Sequence, residues 1–464
     1  MMGDRRPEAS GWSALTLGLA LTMLGLASSS ALCDDAGTTL VYPPFGHCLG
    51  LHKVTDFHRF IYLGARTELD DPRGIAAVKL RERDDPSTGS DDDELTVFGL
   101  NSGRCEIIFN RSLYEASVYG ECGDGEGQFR APLGIAADER GNVFVADTGN
   151  DRVVRLLYTD GSLRWVRTFG STGSGERQFR RPTAVSVGAS GTVYVCDSGN
   201  DRIVVLTSTG DPLRTIRGDI EQGVMLERPC GMAVVEDDDP WIASGRGAIV
   251  VSDRNGTRLL AFSTGGRLLR TLESGDLPIA GEARFGALAI DFYGNVYAID
   301  GPNGAIHKVT RELIYVDSFG RPGDGDGRFD DPRGITLWRR FGQIFVTERD
   351  GAQYLWIGVE IQDLSVEPSE LSPGGPPLRL SYRLTETSRV TLKLLDGRGR
   401  QVAEIVSNRR RRTGANTERW DRVRGAPPEG LAPGWYTLRL EARPTYSSGK
   451  YFQDIAEIEI RLLD

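Results

Sequence analysis

The sequence is poor in the residue types that most enzyme and metal sites require. Its 464 residues include 4 histidines and 6 cysteines, too few cysteines for a scaffold built on disulfides. It contains no nucleophile elbow and no phosphate-binding loop. Lys and Arg total 55 against 65 Asp and Glu, a formal net charge of −10. Because binding to phosphates requires a basic surface, this charge argues against a nucleic acid partner.

Long hydrophobic runs are also missing, apart from one near the N-terminus. Arg5 and Arg6 precede an apolar stretch over residues 12–26, and small residues follow at 29–31. The stretch is short for a membrane span, so we interpret residues 1–31 as a secretory signal peptide and expect no span in the mature chain. The protein is then secreted, periplasmic or on the cell surface. An uncleaved N-terminal anchor is the alternative.

The histidines and cysteines show no metal-ligand spacing. His47, His52 and His58 follow one another at intervals of five and six residues, which fit neither one face of a helix nor one face of a strand. We therefore predict no metal site in this segment and expect Cys196 to be a core residue. The disulfide pairing stays open among Cys33, Cys48, Cys105, Cys122, Cys196 and Cys230.

Glycine, in contrast, is abundant at 58 residues, and much of it belongs to a repeat. Residues 141–152 read GNVFVADTGNDR, and residues 191–202 read GTVYVCDSGNDR. In both segments an alternating apolar strand enters a turn where Gly and Asn tolerate positive φ, and a second strand follows. A hairpin that returns at a fixed long period predicts a repeat architecture.

The aspartate of this hairpin marks the phase of the repeat. The equivalent positions, at spacings of 48, 50, 56, 47 and 48 residues, are Gly99, Asp147, Asp197, Asp253, Asp300 and Glu348. An arginine stands five residues later in four copies: Arg104, Arg152, Arg202 and Arg258. A carboxylate at the start of a turn accepts backbone N–H bonds, and a side chain that recurs in every repeat is expected to be structural. We therefore assign these aspartates and arginines a structural role.

A second signature precedes most copies, as in residues 127–136 (GQFRAPLGIA) and 327–335 (GRFDDPRGI). With both signatures in register over about residues 50–360, the chain resembles NHL-repeat proteins. This resemblance implies a six-bladed β-propeller over residues 32–360. Residues 52–55 match the third strand of blade five and residues 59–64 match the strand after it, so we expect the N-terminal segment to complete the last blade and cover its edge.

The composition changes near residue 361. A Pro- and Gly-rich stretch at 367–377, interpreted as a linker or strand entry, precedes short alternating strands that predict a β-sandwich over residues 361–464. Segments 395–402, 413–416 and 431–436 are similar to the FlgD-type immunoglobulin-like domain, which implies a surface spacer or sorting element. We expect few contacts with the propeller, and we interpret the four arginines at 409–412 as a solvated loop, with a basic binding patch as the alternative.

The fold class is thus all-β, a six-bladed propeller followed by an Ig-like sandwich. The leading functional hypothesis is a non-enzymatic binding or scaffold protein for protein, peptide or glycan ligands at the cell envelope. NHL propellers include amidating lyases, so a metal-dependent lyase or hydrolase at the channel is the alternative. No cofactor is expected. Calcium is an unsupported alternative, since residues 324–327 are similar to the start of a calcium loop but Arg328 stands where that loop needs a carboxylate.

The candidate ligand residues are those that vary within a constant Pro-x-Gly entry to each inner strand, and we expect them at the mouth of the channel. They are Arg73, Leu133, Thr183, Cys230 and Arg333, with Arg284 and Phe285 in the departed motif of blade five. Arg73, Arg284 and Arg333 predict a site for an anionic group such as a carboxylate. The alternative is that each arginine pairs with a neighbouring aspartate.

Overall fold

The computed structural model describes residues 38–44, 52–54, 68–81, 95–110, 115–372, 375–420 and 431–463. The expected signal peptide, His47, His58, Cys33 and Cys48 lie outside these residues. Within the described ranges no helix is long and apolar enough to cross a membrane.

Residues 40–357 form six antiparallel four-stranded sheets in the described part of the chain. Blades one and two comprise Pro72–Lys79, Leu95–Asn101, Glu106–Asn110 and Ala116–Tyr119, then Gly134–Ala137, Asn142–Asp147, Arg152–Thr159 and Ser162–Phe169. Blades three and four comprise Pro182–Val187, Val193–Asp197, Arg202–Leu206 and Pro212–Ile216, then Gly231–Val235, Ala248–Asp253, Arg258–Phe262 and Leu268–Glu273.

Blades five and six comprise Phe285–Ile290, Val296–Asp300, Ala305–Val309 and Tyr315–Phe319, then Gly334–Trp338, Gln343–Thr347, Ala352–Ile357 and Leu40–Val41. The first strand of each blade in this order is the inner one, and it contacts the inner strands of both neighbouring blades, blade six meeting blade one. The six sheets therefore close into the predicted β-propeller.

The outer strand of blade six comes from the N-terminal segment. Leu40–Val41 pairs antiparallel with Ala352–Ile357, and Lys53 forms an isolated bridge to Gln353. Residues 59–64, which the sequence pattern assigned to an outer strand, lie outside the described residues. The edge that Ala352–Ile357 would otherwise expose is thus covered by the start of the chain.

The hydrophobic core of the propeller lies between successive blades. In blades two to six the second strands are buried along their whole length, as Val193–Asp197 shows, because both of their faces pack against a neighbouring sheet. Between blades one and two, the ring of Tyr158 meets Phe98 and Phe109 edge-on at centroid distances of 5.6 and 5.7 Å. Cys105 and Cys122 form a disulfide beside this cluster, and Cys196 is fully buried as expected.

The C-terminal strands form a two-layer sandwich. The three-stranded sheet contains Ile361–Glu367, Leu378–Leu384 and Gly414–Trp420, and the five-stranded sheet contains Glu370–Leu371, Asp454–Leu462, Gly434–Pro444, Ser388–Leu395 and Gln401–Arg411. Residues 375–377 therefore lie inside the sandwich and not between the domains. The loop interpretation of residues 409–412 is wrong for Arg409–Arg411, which belong to a strand, since cross-strand hydrogen bonding extends that hairpin.

The expectation of few contacts between propeller and sandwich is wrong. Glu386, from the turn between two sandwich strands, is fully buried and binds Nζ of Lys308 in blade five at 2.5 Å. Tyr446 packs in the same core cluster as Tyr297 and Ile344 of blades five and six. A buried ion pair and a shared core thus fix the sandwich to the propeller.

Short connections complete the described chain. Single turns of 3-10 helix occur at Ser102–Arg104, Thr148–Asn150, Ser198–Asn200, Arg254–Gly256, Ser274–Asp276 and Ser447–Lys450. Two-stranded ribbons pair Glu121–Cys122 with Gln128–Phe129 and Gly218–Asp219 with Val224–Met225. The first four helical turns follow the second strand of their blade, at the end of the propeller where the inner strands begin. We call this end the entry face.

Candidate functional site

The repeated aspartate organises the entry face of each blade. In blade two, Asp147 accepts hydrogen bonds from the backbone N–H of Arg130 (2.7 Å), Nδ2 of Asn150 (2.8 Å) and Nε of Arg152 (2.7 Å). Asp147 is fully buried, and a buried carboxylate requires this number of donors. The aspartate therefore joins the entry loop to the turn that follows the second strand.

Blade three reproduces the same network with the same geometry. Asp197 accepts from the N–H of Arg180 (2.7 Å), from Asn200 (2.8 Å) and from Nε of Arg202 (2.7 Å). The other two nitrogens of the Arg202 guanidinium donate to backbone carbonyls of residues 174, 175 and 178. Four of the five N–H groups of the guanidinium are thus bonded within its own blade.

The remaining residues of the motif connect neighbouring blades. The hydroxyl of Thr148 in blade two donates to the carbonyl of Pro182 in blade three (2.6 Å). The carboxylate of Asp151 accepts the N–H of Arg181 (2.7 Å), and Asp201 accepts the N–H of Arg228 in the next blade (2.7 Å). The motif therefore fixes both the blade and its junction with the next blade.

In blade five a histidine replaces the arginine. His307 donates or accepts at both ring nitrogens, with Nε2 2.9 Å from Asp300 and Nδ1 2.7 Å from the hydroxyl of Ser318. Burial would raise the pKa of Asp300, but the hydrogen bonds from His307 and Asn303 hold it below its ordinary value. Both ring nitrogens of this buried histidine thus serve the structural network. Across the part of the chain that the structure describes, no group of three or more His, Cys, Asp or Glu is placed to hold a metal ion.

The phase marker assigned to blade one is wrong by two residues. Pro72 pairs with Asn101 as Pro182 pairs with Asp197, so Asn101 takes the place assigned to Gly99. Its side-chain amide lies 3.3 Å from Glu106, the residue five positions later. An amide and a carboxylate here replace the carboxylate and guanidinium of the other blades. The residue types of the motif are therefore changed in blade one, although its geometry is kept.

Glycines of the entry signature allow neighbouring inner strands to approach closely. A Cβ on Gly74 would lie 2.8 Å from the carbonyl oxygen of Leu133, and one on Gly134 would lie 2.8 Å from Cα of Ala184. On Gly334 a Cβ would overlap the carbonyl oxygen of Arg73. The inner strands are therefore packed backbone to backbone at the entry face, which accounts for Gly in Pro-x-Gly.

The sequence-predicted ligand residues do come together at the entry face, with unequal exposure. Arg73, Leu133, Thr183, Cys230 and Arg333 are half-buried, and Arg284 is exposed. Phe285 is wrong as a ligand residue, because it is 1% exposed and packs in the core between blades four and five.

The three candidate arginines each lie beside a carboxylate. Arg73 is 2.8 Å from Asp71, Arg333 is 2.8 Å from Asp331 and also binds Asp71, and Arg284 is 3.1 Å from a glutamate two residues earlier. The geometry is that of the alternative interpretation, in which neighbouring acids neutralise the arginines. Blades six and one thus form a self-paired charge cluster.

Except for Arg284 in blade five, where Phe285 takes the place of the entry proline, sequence reasoning missed the residues directly before that proline as ligand candidates. We call these six positions the entry rim: Asp71, Ala131, Arg181, Arg228, Arg284 and Asp331. All but Arg284 adopt left-handed backbone conformations with φ between 43° and 52°, which is unusual for residues other than glycine. Ala131, Arg181, Arg228 and Arg284 are exposed. The available signal was the residue type before proline, which differs from blade to blade.

A cavity of about 420 Å³ lies along the channel, beyond the entry face. Apolar side chains of the inner strands line it, such as Ile75, Ile135 and Ile335, and none of the sequence-predicted ligand residues does. Arg339 lines its far end, where it binds Asp239 at 2.6 Å and donates to two backbone carbonyls. Burial lowers the pKa of Arg339 from its ordinary value.

Comparison with known proteins agrees with this architecture. The family model of the NHL repeat matches residues 129–156 and 179–206. The chain contains NHL repeats. The two matched segments are those of blades two and three, where the network of Asp, Asn and Arg is complete. No curated protein matches the chain.

Several solved propellers are similar to this chain in fold. They include a streptogramin B lyase (14% identity, 62% of this chain, 94% of that chain, TM-score 0.41) and a gluconolactonase from Xanthomonas campestris (14%, 62%, 88%, 0.44). A third is PorZ of Porphyromonas gingivalis, a surface component of a secretion system (12%, 84%, 51%, 0.42). At such identities the likeness concerns the fold alone.

Proposed function

We propose that the protein is an exported, non-enzymatic binding or scaffold protein whose entry face binds a protein, peptide or glycan. The observation that supports this proposal is the contrast between the buried residues that repeat in the blades and the exposed residues of the entry rim. Repeated groups such as Asp197 and Arg202 are buried and use their hydrogen-bonding capacity on each other. The exposed entry rim above them changes from blade to blade, as expected for a surface that recognises a ligand.

The charge of the entry rim favours an anionic group on the ligand. Arginines occupy it in three consecutive blades, at Arg181, Arg228 and Arg284. The Arg181 and Arg228 side chains form no hydrogen bond or ion pair with any residue that the structure describes. We therefore assign the anion preference to Arg181 and Arg228 in blades three and four, and not to Arg73, Arg284 and Arg333, whose charges are paired. A carboxylate of a peptide or glycan fits this chemistry.

Export belongs to the same proposal. The disulfide between Cys105 and Cys122 supports an oxidising compartment, where such bonds persist. Cell fractionation tests it: a mature N-terminus near residue 32 supports export, and a full-length cytoplasmic chain contradicts it.

A binding experiment tests the entry rim. Arrays of acidic and neutral peptides and glycans are probed with the wild-type protein and with the R181E/R228E variant. A control variant, R164E/R270E, changes the net charge equally at exposed arginines on outer strands. Loss of the bound ligand in R181E/R228E alone supports the proposal. Equal binding by all three proteins contradicts it.

A further inference from the structure

A row of like charges crosses the outward face of the five-stranded sheet in the sandwich. Arg389 is directly opposite Arg410 on one neighbouring strand and Arg443 on the other. We call these three residues the arginine row. Directly opposite residues share a face with Cβ atoms about 5 Å apart. All three are exposed, whereas Ser388 and Val390 on either side of Arg389 are buried.

No carboxylate among the described residues neutralises the arginine row. Arg389 donates to a backbone carbonyl oxygen (3.4 Å), and Nε of Arg443 donates to the amide oxygen of Gln453 (2.9 Å). The guanidinium of Arg410 lies 5.0 Å from the ring centroid of Tyr293 in the propeller. Each arginine is therefore oriented by an uncharged neighbour and keeps its full positive charge at the surface.

Other cations on the same sheet face do have anionic partners. Nζ of Lys393 lies 2.6 Å from Glu441, and Nε of Arg439 lies 2.5 Å from Glu457. Like charges directly opposite each other destabilise a sheet, so an unneutralised row of three lowers the stability of the sandwich. Such an arrangement is expected where a ligand supplies the missing anions.

We infer that the arginine row binds an acidic polysaccharide. Guanidinium groups bind carboxylate and sulfate oxygens in a two-point geometry. The row is one residue wide and its members follow the strand spacing of about 5 Å, so it fits a linear polymer with recurring anionic groups. Glu441 and Glu457 border it on the same face, and because each is paired with a cation, the unneutralised positive charge is confined to this single row.

Nucleic acid is also a linear polyanion, but the surroundings of the row do not suit it. Single strands gain affinity by stacking bases on exposed aromatic rings. Tyr293, the ring that contacts the row, is half-buried and covered by Arg410. The site lies on the sandwich and does not depend on the function proposed for the propeller entry face.

The test uses the full mature chain and defined polymers. Polygalacturonate carries carboxylates, dextran sulfate carries sulfates, and neutral dextran is the uncharged control. We compare wild type with R389Q/R410Q/R443Q by titration calorimetry. The matched control, R164Q/R270Q/R398Q, removes three exposed arginines elsewhere. We expect an affinity for at least one acidic polymer that falls about tenfold or more in the row variant, equivalent to about 1.4 kcal/mol, and changes little in the control variant.

A stability measurement separates binding from folding. The row variant loses the repulsion between like charges together with the contacts of the three arginines to uncharged neighbours, so its free energy of unfolding should stay close to that of wild type. No binding to either acidic polymer, equal losses in both variants, or a destabilised row variant would overturn the inference. So would stronger binding of phosphatidylglycerol vesicles or single-stranded DNA that depends on the same three arginines.

Discussion

Arginines have opposite surroundings in the propeller and in the sandwich. Arg202 recurs with its repeat, is 3% exposed and is bound by one carboxylate and three backbone carbonyls. Arg389, Arg410 and Arg443 are brought together only by strand pairing, are exposed and have no carboxylate partner among the described residues. The difference teaches that a structural arginine is recognised by the protein groups that bind its guanidinium, and a candidate binding arginine by the lack of a carboxylate partner. The residue type alone does not separate them.

Removing a repeat arginine is the strongest test of this contrast. The substitution R202A leaves the buried Asp197 carboxylate without its counter-charge, so we expect a loss of about 3–5 kcal/mol in the free energy of unfolding. R389A in the sandwich should change it by about 0.5 kcal/mol or less. Chemical denaturation of both variants measures the difference, and similar losses would remove the distinction.

The ion pair between the domains is expected to have the next largest effect. E386Q removes the carboxylate that binds the buried Lys308 and should cost about 3 kcal/mol. Replacing both residues with apolar ones, K308M/E386L, should recover part of that loss. A double-mutant cycle on the unfolding free energy measures the coupling. Additive single effects would show that the pair does not hold the two domains together.

Entry glycines extend the comparison from charge to packing. G334A forces a Cβ against the carbonyl oxygen of Arg73 in the next blade, and such overpacking costs about 1–3 kcal/mol. A Cβ on Gly397 of the sandwich would have no atom within 4 Å. We therefore expect G397A to be neutral in thermal unfolding. A tolerated G334A would mean that blades six and one can separate slightly.

A pH dependence of stability is also expected at the junction of the two domains. Burial, with Glu386 nearby, raises the pKa of Asp291 to about 7. Since the folded state holds this proton above the ordinary pKa of 3.8, the contribution of Asp291 to stability is full at low pH. It is lost as the pH rises from about 4 to about 7. D291N should reduce the slope of the free energy of unfolding against pH across this range. A slope equal to that of wild type would contradict the assignment.

The sequence predicted those parts of the fold that repeat. In blades two and three, Asp147 and Asp197 form the complete hydrogen-bond network. The sequence motif there therefore predicted the strands, the turn and the phase of the repeat. The prediction for blade one was wrong because Asn101 and Glu106 take the places of the aspartate and the arginine. The amide now donates and the carboxylate accepts, while the geometry of the pair is kept. A pattern of residue types cannot reveal such a substitution, because the hydrogen bond and not the letter is shared between blades.

The charges of the candidate site depend on contacts that sequence order hides. Arg333 binds Asp71, which lies 262 positions away and comes from the neighbouring blade across the closed ring. The arginine row likewise depends on the register of three strands. Nothing in the sequence around Glu386 marks it as buried, and only the docking of the sandwich makes it a partner of Lys308.

The pairing of the N-terminal strand with the last strands of blade six has a consequence for biosynthesis. Thr38 donates to the carbonyl of Val359, a contact between residues 321 positions apart, and Ser448 of the sandwich binds the adjacent carbonyl of Ile357. At typical translation rates the first strand emerges roughly 15–60 s before its partner does. During that interval Leu40–Val41 is a free strand. At high concentration it can complete blade six of another molecule, so exchanged dimers are the expected product of crowded refolding.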